Sequence, residues 1–380
     1  NLIIYRFKIS AAQKQVVFYA EHEGYTSYFE GLMTALTQTH HQPIVYVTSD
    51  FHDPIFKKKD PMVRVLYLNT LLPFFMMFVN CRVFVMTLTD LQNYHLKRSL
   101  NPVHYLYVFH SLVSTHMMYA EKAFDHYDSL LCPCPYHREE IMQREKLCGL
   151  RKKTLVPAGY YRLERIYHTF HSQETPPSPQ NKKPLILVAP SWGAQNVLES
   201  CGERLVRLLL DNNYRVIVRP HPETIRRTPL VVSNLENIFC SHQDFVMEKS
   251  VSTDTSLIAA DVLICDCSGV ALEYSLGTER PVLFLDIPYK VKNARYQELG
   301  YEPFELATRS QIGIVVPPDD DAIILQSLRQ LIAQRSAFRE TIRLVREKNV
   351  FAFGRSSQVG AEHVMGLLAQ FNSRVPCEPS

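Results

Sequence analysis

The residues best suited to chemistry form the turn Asp266–Gly269, which joins an apolar run to a helical pattern. Val262–Cys265 is typical of a short strand that is covered on both faces. Val270–Leu276 has helical spacing, so the Ser268 hydroxyl and the first free N–H groups would point out of the carboxyl edge of a parallel sheet. This geometry binds phosphate. The alternative interpretation is an ordinary strand-to-helix turn in which Ser268 caps the helix.

A second stretch whose residues could take part in a reaction is Tyr214–Pro222, an apolar strand pattern that ends in Arg219 and His221. Displacement at a phosphate ester creates a charged leaving group, and an arginine, a histidine and a helix amino terminus can stabilise it without a metal. The alternative for His221 is a loop histidine held between Pro220 and Pro222.

His110 and Glu273 complete the set of candidate site residues that have ionisable side chains. His110 follows the strand pattern Val103–Phe109. A histidine at a strand end titrates near neutral pH and can act as a general base on an alcohol. Its alternative is a hydrogen-bonded core histidine. Glu273 lies one turn into the helix after Ser268, where a carboxylate either binds a ribose hydroxyl or remains on the helix surface.

Strand and helix patterns alternate in both halves of the chain, which is typical of α/β units with parallel sheets. In the first half we predict strands at Gln15–Ala20, Pro43–Thr48, Arg82–Thr87, Val103–Phe109 and Ser129–Cys132, and helices at Tyr25–Thr37 and Met117–His126. In the second half we predict strands at Pro184–Ala189, Tyr214–Arg219, Val262–Cys265, Arg280–Asp286 and Ile312–Val316, and a helix at Val197–Asn212.

Residues 171–183 are polar and rich in proline and have no apolar period, so we predict a linker there. The predicted domains are therefore 1–170 and 184–380, with the last helix free to pack back on the first domain. Two α/β domains of this size suit the GT-B fold, in which two Rossmann-like parallel-sheet domains face a central cleft and the strand carboxyl ends meet at the active site.

Composition excludes several classes of protein. The chain has 380 residues and 46% hydrophobic content, enough for two domains, and its net charge of +3 argues against general nucleic-acid binding. Nine cysteines are scattered without a pair of CxxC motifs at zinc spacing. We therefore expect reduced thiols in a cytoplasmic protein, with no metal and no cofactor.

The most apolar segment, Leu71–Val79, has about nine residues, whereas a membrane span needs roughly 20. Two interpretations remain open. It is either a helix buried between the domains, or an apolar face that enters the bilayer interface, with Lys57–Lys59 and Arg64 upstream to meet anionic lipid.

Several motifs occur in a recognisable order. They are Val108–Leu112, Gly159–Glu164, Leu185–Trp192, Arg219–Pro222, and Asp266–Gly269 with Glu273 and Arg280–Pro281 behind it. Together they make roughly residues 15–350 resemble the CDP-glycerol glycerophosphotransferase family, the membrane-associated polymerases and primases of teichoic-acid-like polymers.

The resemblance implies roles for individual positions. His110 matches the histidine thought to act as base on the acceptor hydroxyl, and His221 matches the histidine that contacts the donor phosphate. Ser268 matches the first of two adjacent serines that bind the pyrophosphate. Three positions depart from the pattern. The second serine is Gly269, the residue before Ser268 is Cys267 where the family often has an aromatic residue, and the residue after His110 is Ser111 where the family usually has glycine.

For the donor we assign Ser268, Gly269 and Arg219 to the phosphates, and Glu273, Ser191 and Trp192 to the ribose and base. Trp192 has the alternative of packing at the domain junction.

The resemblance implies a metal-independent transferase that moves glycerol phosphate or ribitol phosphate. The donor is a CDP-polyol or another activated nucleotide, and the acceptor is a hydroxyl of a cell-surface polymer or its lipid-linked precursor. The expected location is the cytoplasm, with peripheral contact to the inner face of the membrane left open and no nucleic-acid partner. Alternatives are a UDP-sugar 2-epimerase or nucleotide-sugar glycosyltransferase of the same fold, and a non-catalytic nucleotide-sugar binding protein.

Overall fold

The computed structural model describes residues 1–89, 91–172, 183–250 and 253–373. The chain forms two compact units that are interlaced along the sequence. Unit 1 contains Asn1–His110, Tyr119–Tyr161 and the residues from Val350 onward, and unit 2 contains Ser111–Met118 and Arg162–Asn349.

Within the described residues, the strands are β1 (Val16–Ala20), β2 (Ile44–Thr48), β3 (Val63–Tyr67), β4 (Val83–Met86), β5 (His104–Val108), β6 (Ser129–Cys132), β7 (Thr154–Pro157), β8 (Leu185–Val188), β9 (Arg215–Val218), β10 (Phe245–Met247), β11 (Val262–Cys265), β12 (Val282–Leu285) and β13 (Gly313–Val316).

The helices in the same part of the chain are α1 (Leu2–Phe7), α2 (Thr26–Thr34), α3 (Leu72–Phe78), α4 (Thr115–Met118), α5 (Pro135–Cys148), α6 (Tyr161–Ser172), α7 (Val197–Asp211), α8 (Pro222–Arg227), α9 (Pro229–Phe239), α10 (Thr255–Ala259), α11 (Gly269–Thr278), α12 (Phe304–Ala307), α13 (Arg309–Ile312), α14 (Asp321–Ala333), α15 (Arg335–Asn349) and α16 (Ser356–Ser373).

Unit 1 is built on a seven-stranded parallel sheet with the order β3-β2-β1-β4-β5-β6-β7. Its central strands are apolar along their whole length because helices cover both faces of a parallel sheet. β1, β2 and β4 are buried at every residue. His110 lies just beyond the carboxyl end of β5.

Unit 2 is built on a six-stranded parallel sheet with the order β10-β9-β8-β11-β12-β13. The chain runs outward from β8 through β9 to β10 and then returns to place β11 on the other side of β8. The point where the strand order reverses, between β8 and β11, is where parallel α/β sheets bind ligands at the strand carboxyl ends. Because β9, β8 and β11 are neighbours, the turns that follow them meet at one edge of the sheet.

The unit boundaries differ from the predicted domains 1–170 and 184–380. Unit 2 begins at Arg162, because Leu163 and Ile166 of α6 pack on Gly277 of α11. The residues from Val350 onward belong to unit 1, where α16 contributes to the apolar core. Most of the predicted linker, residues 173–182, lies outside the described residues.

Individual elements also differ from the predicted ones. The predicted helix Met117–His126 is wrong, since α4 ends at Met118 and residues 121–126 form turns. Three strands, β3, β7 and β10, were not predicted. All three are partly buried edge strands, so they lack the continuous apolar run of the central strands.

The segment Leu71–Val79 forms the short helix α3 in unit 1, and the two faces of α3 differ. Phe75 and Met76 are buried, and Phe75 contacts the Tyr5 ring edge-on at 4.9 Å. Phe74 and Phe78, by contrast, are 56% and 46% exposed. The segment is therefore neither wholly core nor wholly surface. Within the described ranges, no helix is long and apolar enough to cross a membrane.

Candidate active site

The turn after β11 presents an unused hydroxyl at the start of α11. Ser268 is the residue before the first helical turn, and its side chain makes no capping hydrogen bond. The residue is only 8% exposed, yet its hydroxyl bonds to no other group in the described part of the chain. Helix caps of this type normally accept from the second or third backbone N–H. The capping interpretation of Ser268 therefore does not hold in this structure.

Asp266, in the turn after β11, forms hydrogen bonds that hold the turn after β8 beside it. The backbone N–H of Ser191 and its hydroxyl both donate to the Asp266 carboxylate, at 2.8 and 2.9 Å. Asp266 is 2% exposed, and burial raises the pKa of its carboxyl group. This pair joins the turns on either side of the switch point, and it occupies the Ser191 hydroxyl that was assigned to the nucleotide.

His221, in the turn after β9, is held as a neutral imidazole. Its Nδ1 accepts from the backbone N–H of Glu223 at 3.1 Å, which leaves Nε2 to carry the ring hydrogen. Burial, and next the neighbouring Lys290, lower the pKa of His221 to about 4. His221 can therefore donate a hydrogen bond from Nε2 to a phosphate, but it adds no positive charge at neutral pH.

Arg219 is also in this turn, and its guanidinium is engaged inside unit 2. It is 4% exposed and donates to the Thr253 carbonyl at 2.9 Å and to the Ser256 hydroxyl at 3.4 Å. Its Nε lies 3.6 Å from a carboxylate oxygen of Glu248. These partners fix the backbone that leads to His221.

Positive charge at this edge of the sheet is concentrated around the Trp192 ring. Nζ of Lys290 lies 2.7 Å from the ring centroid, and Arg227 and Lys292 lie 4.8 and 5.8 Å from it. All three distances are within the range of cation–π contacts. His221 lies 6.1 Å from the same ring. Sequence reasoning missed the two lysines, and the one signal that could have found them is their position in the loop after β12.

Lys290 is the member of this cluster without a hydrogen-bonding partner among the described residues. Its Nζ is buried and unsatisfied. Burial, followed by repulsion from Lys292 and Arg227, lowers its pKa to about 7, and only Glu223 acts in the opposite direction. Glu223 is itself bonded to Arg226 and Arg227. A buried ammonium without a counter-ion is costly, so the cluster favours an anionic ligand.

Glu273, in the first turns of α11, is not on the helix surface. It is 5% exposed, and one of its oxygens lies 3.4 Å from Nε of Arg162. Arg162 also bonds to Asp254, at 3.2 Å. The surface alternative for Glu273 is therefore wrong, and this carboxylate belongs to a buried ionic cluster next to the phosphate turn.

His110 lies in unit 1 within a cage of aromatic side chains. The rings of Tyr25, Tyr28 and Tyr119 approach it edge-on, with centroids 5.8, 6.1 and 5.8 Å away. Its Nδ1 is 3.1 Å from the Tyr107 hydroxyl. If Nδ1 carries the hydrogen and donates it to this hydroxyl, Nε2 is the atom that accepts a proton from a substrate. His110 is half-buried, as a base that must meet a substrate requires.

In the ranges that the structure covers, no three histidine, cysteine, aspartate or glutamate side chains are arranged to hold a metal ion.

Several solved structures share the fold of this chain. The wall teichoic acid polymerase TagF with CDPG has a TM-score of 0.65 and 15% identity, over 95% of this chain and 90% of that chain. S. aureus MnaA with UDP has a TM-score of 0.60 and 13% identity, over 96% and 98%. The UDP-GlcNAc 2-epimerase of Methanocaldococcus jannaschii with UDP-GlcNAc and UDP has a TM-score of 0.59 and 13% identity, over 93% and 99%.

At these identities the structural likeness concerns the fold, and it confirms the predicted GT-B class of two parallel-sheet α/β domains. No curated protein sequence matches the chain. The profile of the CDP-glycerol:poly(glycerophosphate) glycerophosphotransferases, in contrast, matches residues 3–315, most of the chain. The predicted family is thus confirmed, and the chain belongs to the CDP-glycerol:poly(glycerophosphate) glycerophosphotransferase family.

Proposed function

We propose that this protein transfers a polyol phosphate from a CDP-activated polyol to a hydroxyl of a cell-surface polymer or its lipid-linked precursor. The acceptor oxygen forms a bond to the phosphorus that carries the polyol, and the bond from that phosphorus to the oxygen of CMP breaks. The hydroxyl proton passes to Nε2 of His110, and CMP leaves. The products are CMP and an acceptor extended by one polyol phosphate.

The observation that carries this proposal is the unused Ser268 hydroxyl at the amino terminus of α11, at the switch point of the unit 2 sheet. A ten-residue helix directs its partial positive charge and its first N–H groups toward that point. Oxygen-rich, doubly charged groups such as a diphosphate suit this arrangement. Family membership supports CDP as the activating nucleotide.

The neighbouring side chains receive distinct roles. Ser268 donates to a donor phosphate, and His221 donates to it from Nε2 while it stays neutral. Lys290 supplies the charge that opposes the leaving CMP, since catalysis of this kind depends on fixed charges aimed at the developing anion. Arg219 acts indirectly, because its bonds to Thr253 and Ser256 hold the turn that carries His221.

The nucleoside is assigned to the remaining residues. The buried Glu273 carboxylate accepts from the ribose, and the turn that carries Ser191 and Trp192 lies under the base. Because the Ser191 hydroxyl is bonded to Asp266, Ser191 contributes mainly by fixing this turn.

One assay separates the candidate activities. The purified protein is incubated with CDP-glycerol, CDP-ribitol or UDP-GlcNAc, with and without a polymer acceptor, and nucleotide release is followed by chromatography. We expect CMP from one of the CDP-polyols, with faster release when the acceptor is present. Conversion of UDP-GlcNAc to its 2-epimer would instead establish the epimerase alternative. Binding of a nucleotide without turnover would establish the non-catalytic one.

Peripheral membrane contact is part of the proposal, with the reaction in the cytoplasm at the inner face of the membrane. Its support is the exposed apolar face of α3, where the Phe74 and Phe78 rings lie 4.8 Å apart. α1 is joined to α3 through the Tyr5–Phe75 contact and exposes Phe7, which is 78% accessible. Exposed aromatic side chains on neighbouring short helices suit insertion into a bilayer interface. Of the basic residues expected to assist, Lys58 is already paired with Glu30.

A further inference from the structure

Ser111 is the first residue after His110, but it belongs to unit 2. The segment Ser111–Met118 is anchored there by Ser114, whose backbone N–H and hydroxyl donate to the two oxygens of Glu305, at 2.8 and 2.9 Å. Ser114 and Glu305 are 0% and 3% exposed. Buried, charge-assisted bonds of this kind are strong, so the position of Ser111 within unit 2 is well fixed.

The Ser111 hydroxyl lies against Gly269, the first residue of α11. A Cβ atom placed on Gly269 would be 2.4 Å from Oγ of Ser111 and 3.4 Å from the Val113 side chain. The first of these distances is far inside van der Waals contact. Gly269 does not have a positive φ, so the backbone conformation does not demand glycine there. The constraint at position 269 is instead steric, because the Ser111 hydroxyl occupies the space of a side chain there and would have to change rotamer to admit one.

This hydroxyl still has a hydrogen to donate. Its oxygen accepts weakly from the backbone N–H of Val113, at 3.4 Å. A hydroxyl that accepts one bond keeps its own O–H for a second partner. The start of α11 therefore has two hydroxyl groups beside it, one from Ser268 and one from Ser111. Ser268 as a residue is 8% exposed, and its hydroxyl makes no capping bond.

We propose that Ser111 is a phosphate-binding residue of the donor site and supplies the hydroxyl that Gly269 lacks. The proposal rests on the proposed function. Two of the three positions at which the chain departs from the family pattern, Ser111 and Gly269, are then a single exchange. The hydroxyl has moved from the first residue of α11 to the neighbouring segment and still lies beside the same helix amino terminus.

An exchange of this kind predicts that substitutions at positions 111 and 269 have coupled effects on CDP affinity. Ser111→Ala removes a bond to a charged group, so we expect CDP binding to weaken about tenfold or more. Gly269→Ser places a side chain against the Ser111 hydroxyl, and we expect a loss at least as large. The double variant Ser111→Gly/Gly269→Ser restores one hydroxyl and removes the collision, so we expect its affinity to return to within about threefold of the original.

The experiment measures CDP and UDP binding to the full chain by calorimetry, with melting temperature as the test of folding. Ser233→Ala, an exposed serine of unit 2 bonded only to the Leu230 carbonyl in the described residues, is the matched control. A Ser111→Ala protein that binds CDP as tightly as the original overturns the proposal, and so does a double variant no better than the worse single one.

Nucleotide binding by the unsubstituted protein shows whether the proposed function fails or only the role of Ser111 fails. If it binds UDP and not CDP, the CDP-polyol function is wrong. The role of Ser111 is then tested with UDP on Ser111→Ala, Gly269→Ser, the double variant and the Ser233→Ala control. If it binds neither nucleotide, both proposals are wrong. A Ser111→Gly variant that melts as the original does shows that any lost affinity comes from the hydroxyl and not from unfolding.

Discussion

If Lys290 binds the donor as proposed, donor binding should depend on pH, and the sign follows from the surroundings of Lys290. In the free protein, burial and the neighbouring Lys292 and Arg227 lower the pKa of Lys290 to about 7. A bound diphosphate stabilises the ammonium and raises that pKa again. Below pH 7 the lysine is charged in both states. Above pH 7 binding must take up a proton, so donor affinity is lost as pH rises.

The size of this effect follows from the same pKa. Between about pH 6.5 and about pH 8.5, the charged fraction of a group with a pKa near 7 falls about 25-fold, and affinity for CDP-glycerol should fall by about that factor. CDP-glycerol suits the measurement because its two phosphates stay singly charged across this range. His221 does not contribute to the slope, since its pKa of about 4 lies well below the window.

Lys290→Met tests the assignment by calorimetry at both pH values. We expect the variant to bind about 100-fold more weakly at the lower pH, because a fall of this size on deprotonation requires the charged lysine to bind far better than an uncharged side chain, and we expect it to show almost no pH dependence. Lys249→Met is the control, because Lys249 is exposed in the same unit and paired with Glu236. A Lys290→Met protein that keeps the 25-fold slope would refute the assignment of the slope to Lys290.

The remaining predictions concern the base, the phosphate turn and the membrane face. His110→Ala should reduce kcat by about 10²–10⁴-fold and leave CDP-glycerol affinity nearly unchanged, because the proposed donor contacts belong to unit 2. Tyr107→Phe should give a smaller loss of kcat and a shifted pH–rate profile, since its hydroxyl orients His110. Ser268→Ala should weaken donor binding by about 1–3 kcal/mol with little change in melting temperature. Phe74→Ser/Phe78→Ser should release the protein from anionic liposomes, as each side chain contributes about 2 kcal/mol.

Each of these has a result that contradicts it. Wild-type turnover by His110→Ala, or a large loss of donor affinity in it, would remove His110 as the base. Unchanged calorimetry for Ser268→Ala would remove the hydroxyl from the site. For the membrane face, liposome binding that survives in the double variant excludes this surface. Phe75→Ser is the comparison there, because Phe75 is 2% exposed and its loss should unfold the protein instead.

The central strand of unit 2 and the turn after it were predictable from sequence because their signals are local. Val262–Cys265 is an unbroken apolar run and is the observed β11, buried at all four residues. The small residues that follow, and the helical spacing after them, define the start of α11 within one residue. The position of His110 after β5 was predictable for the same reason.

Other features depend on contacts between residues that are distant in sequence, and no local pattern could have shown them. Arg162 and the rest of α6 belong to unit 2 because of packing on α11, more than 100 residues away. The proximity of Ser111 to Gly269 is of the same kind. The neutral state of His221 depends on burial and on Lys290, which the sequence places 69 positions later.

The interlaced course of the chain has a consequence for the order in which it folds during synthesis. Unit 1 takes part of its core from α16, where Ala361, Val364 and Leu368 are buried with Leu32 and Leu36 of the first fifty residues. A ribosome releases those early residues long before α16 exists. The amino-terminal sheet therefore has an uncovered apolar surface while the whole of unit 2 is being translated, and unit 2 is able to complete its own core first.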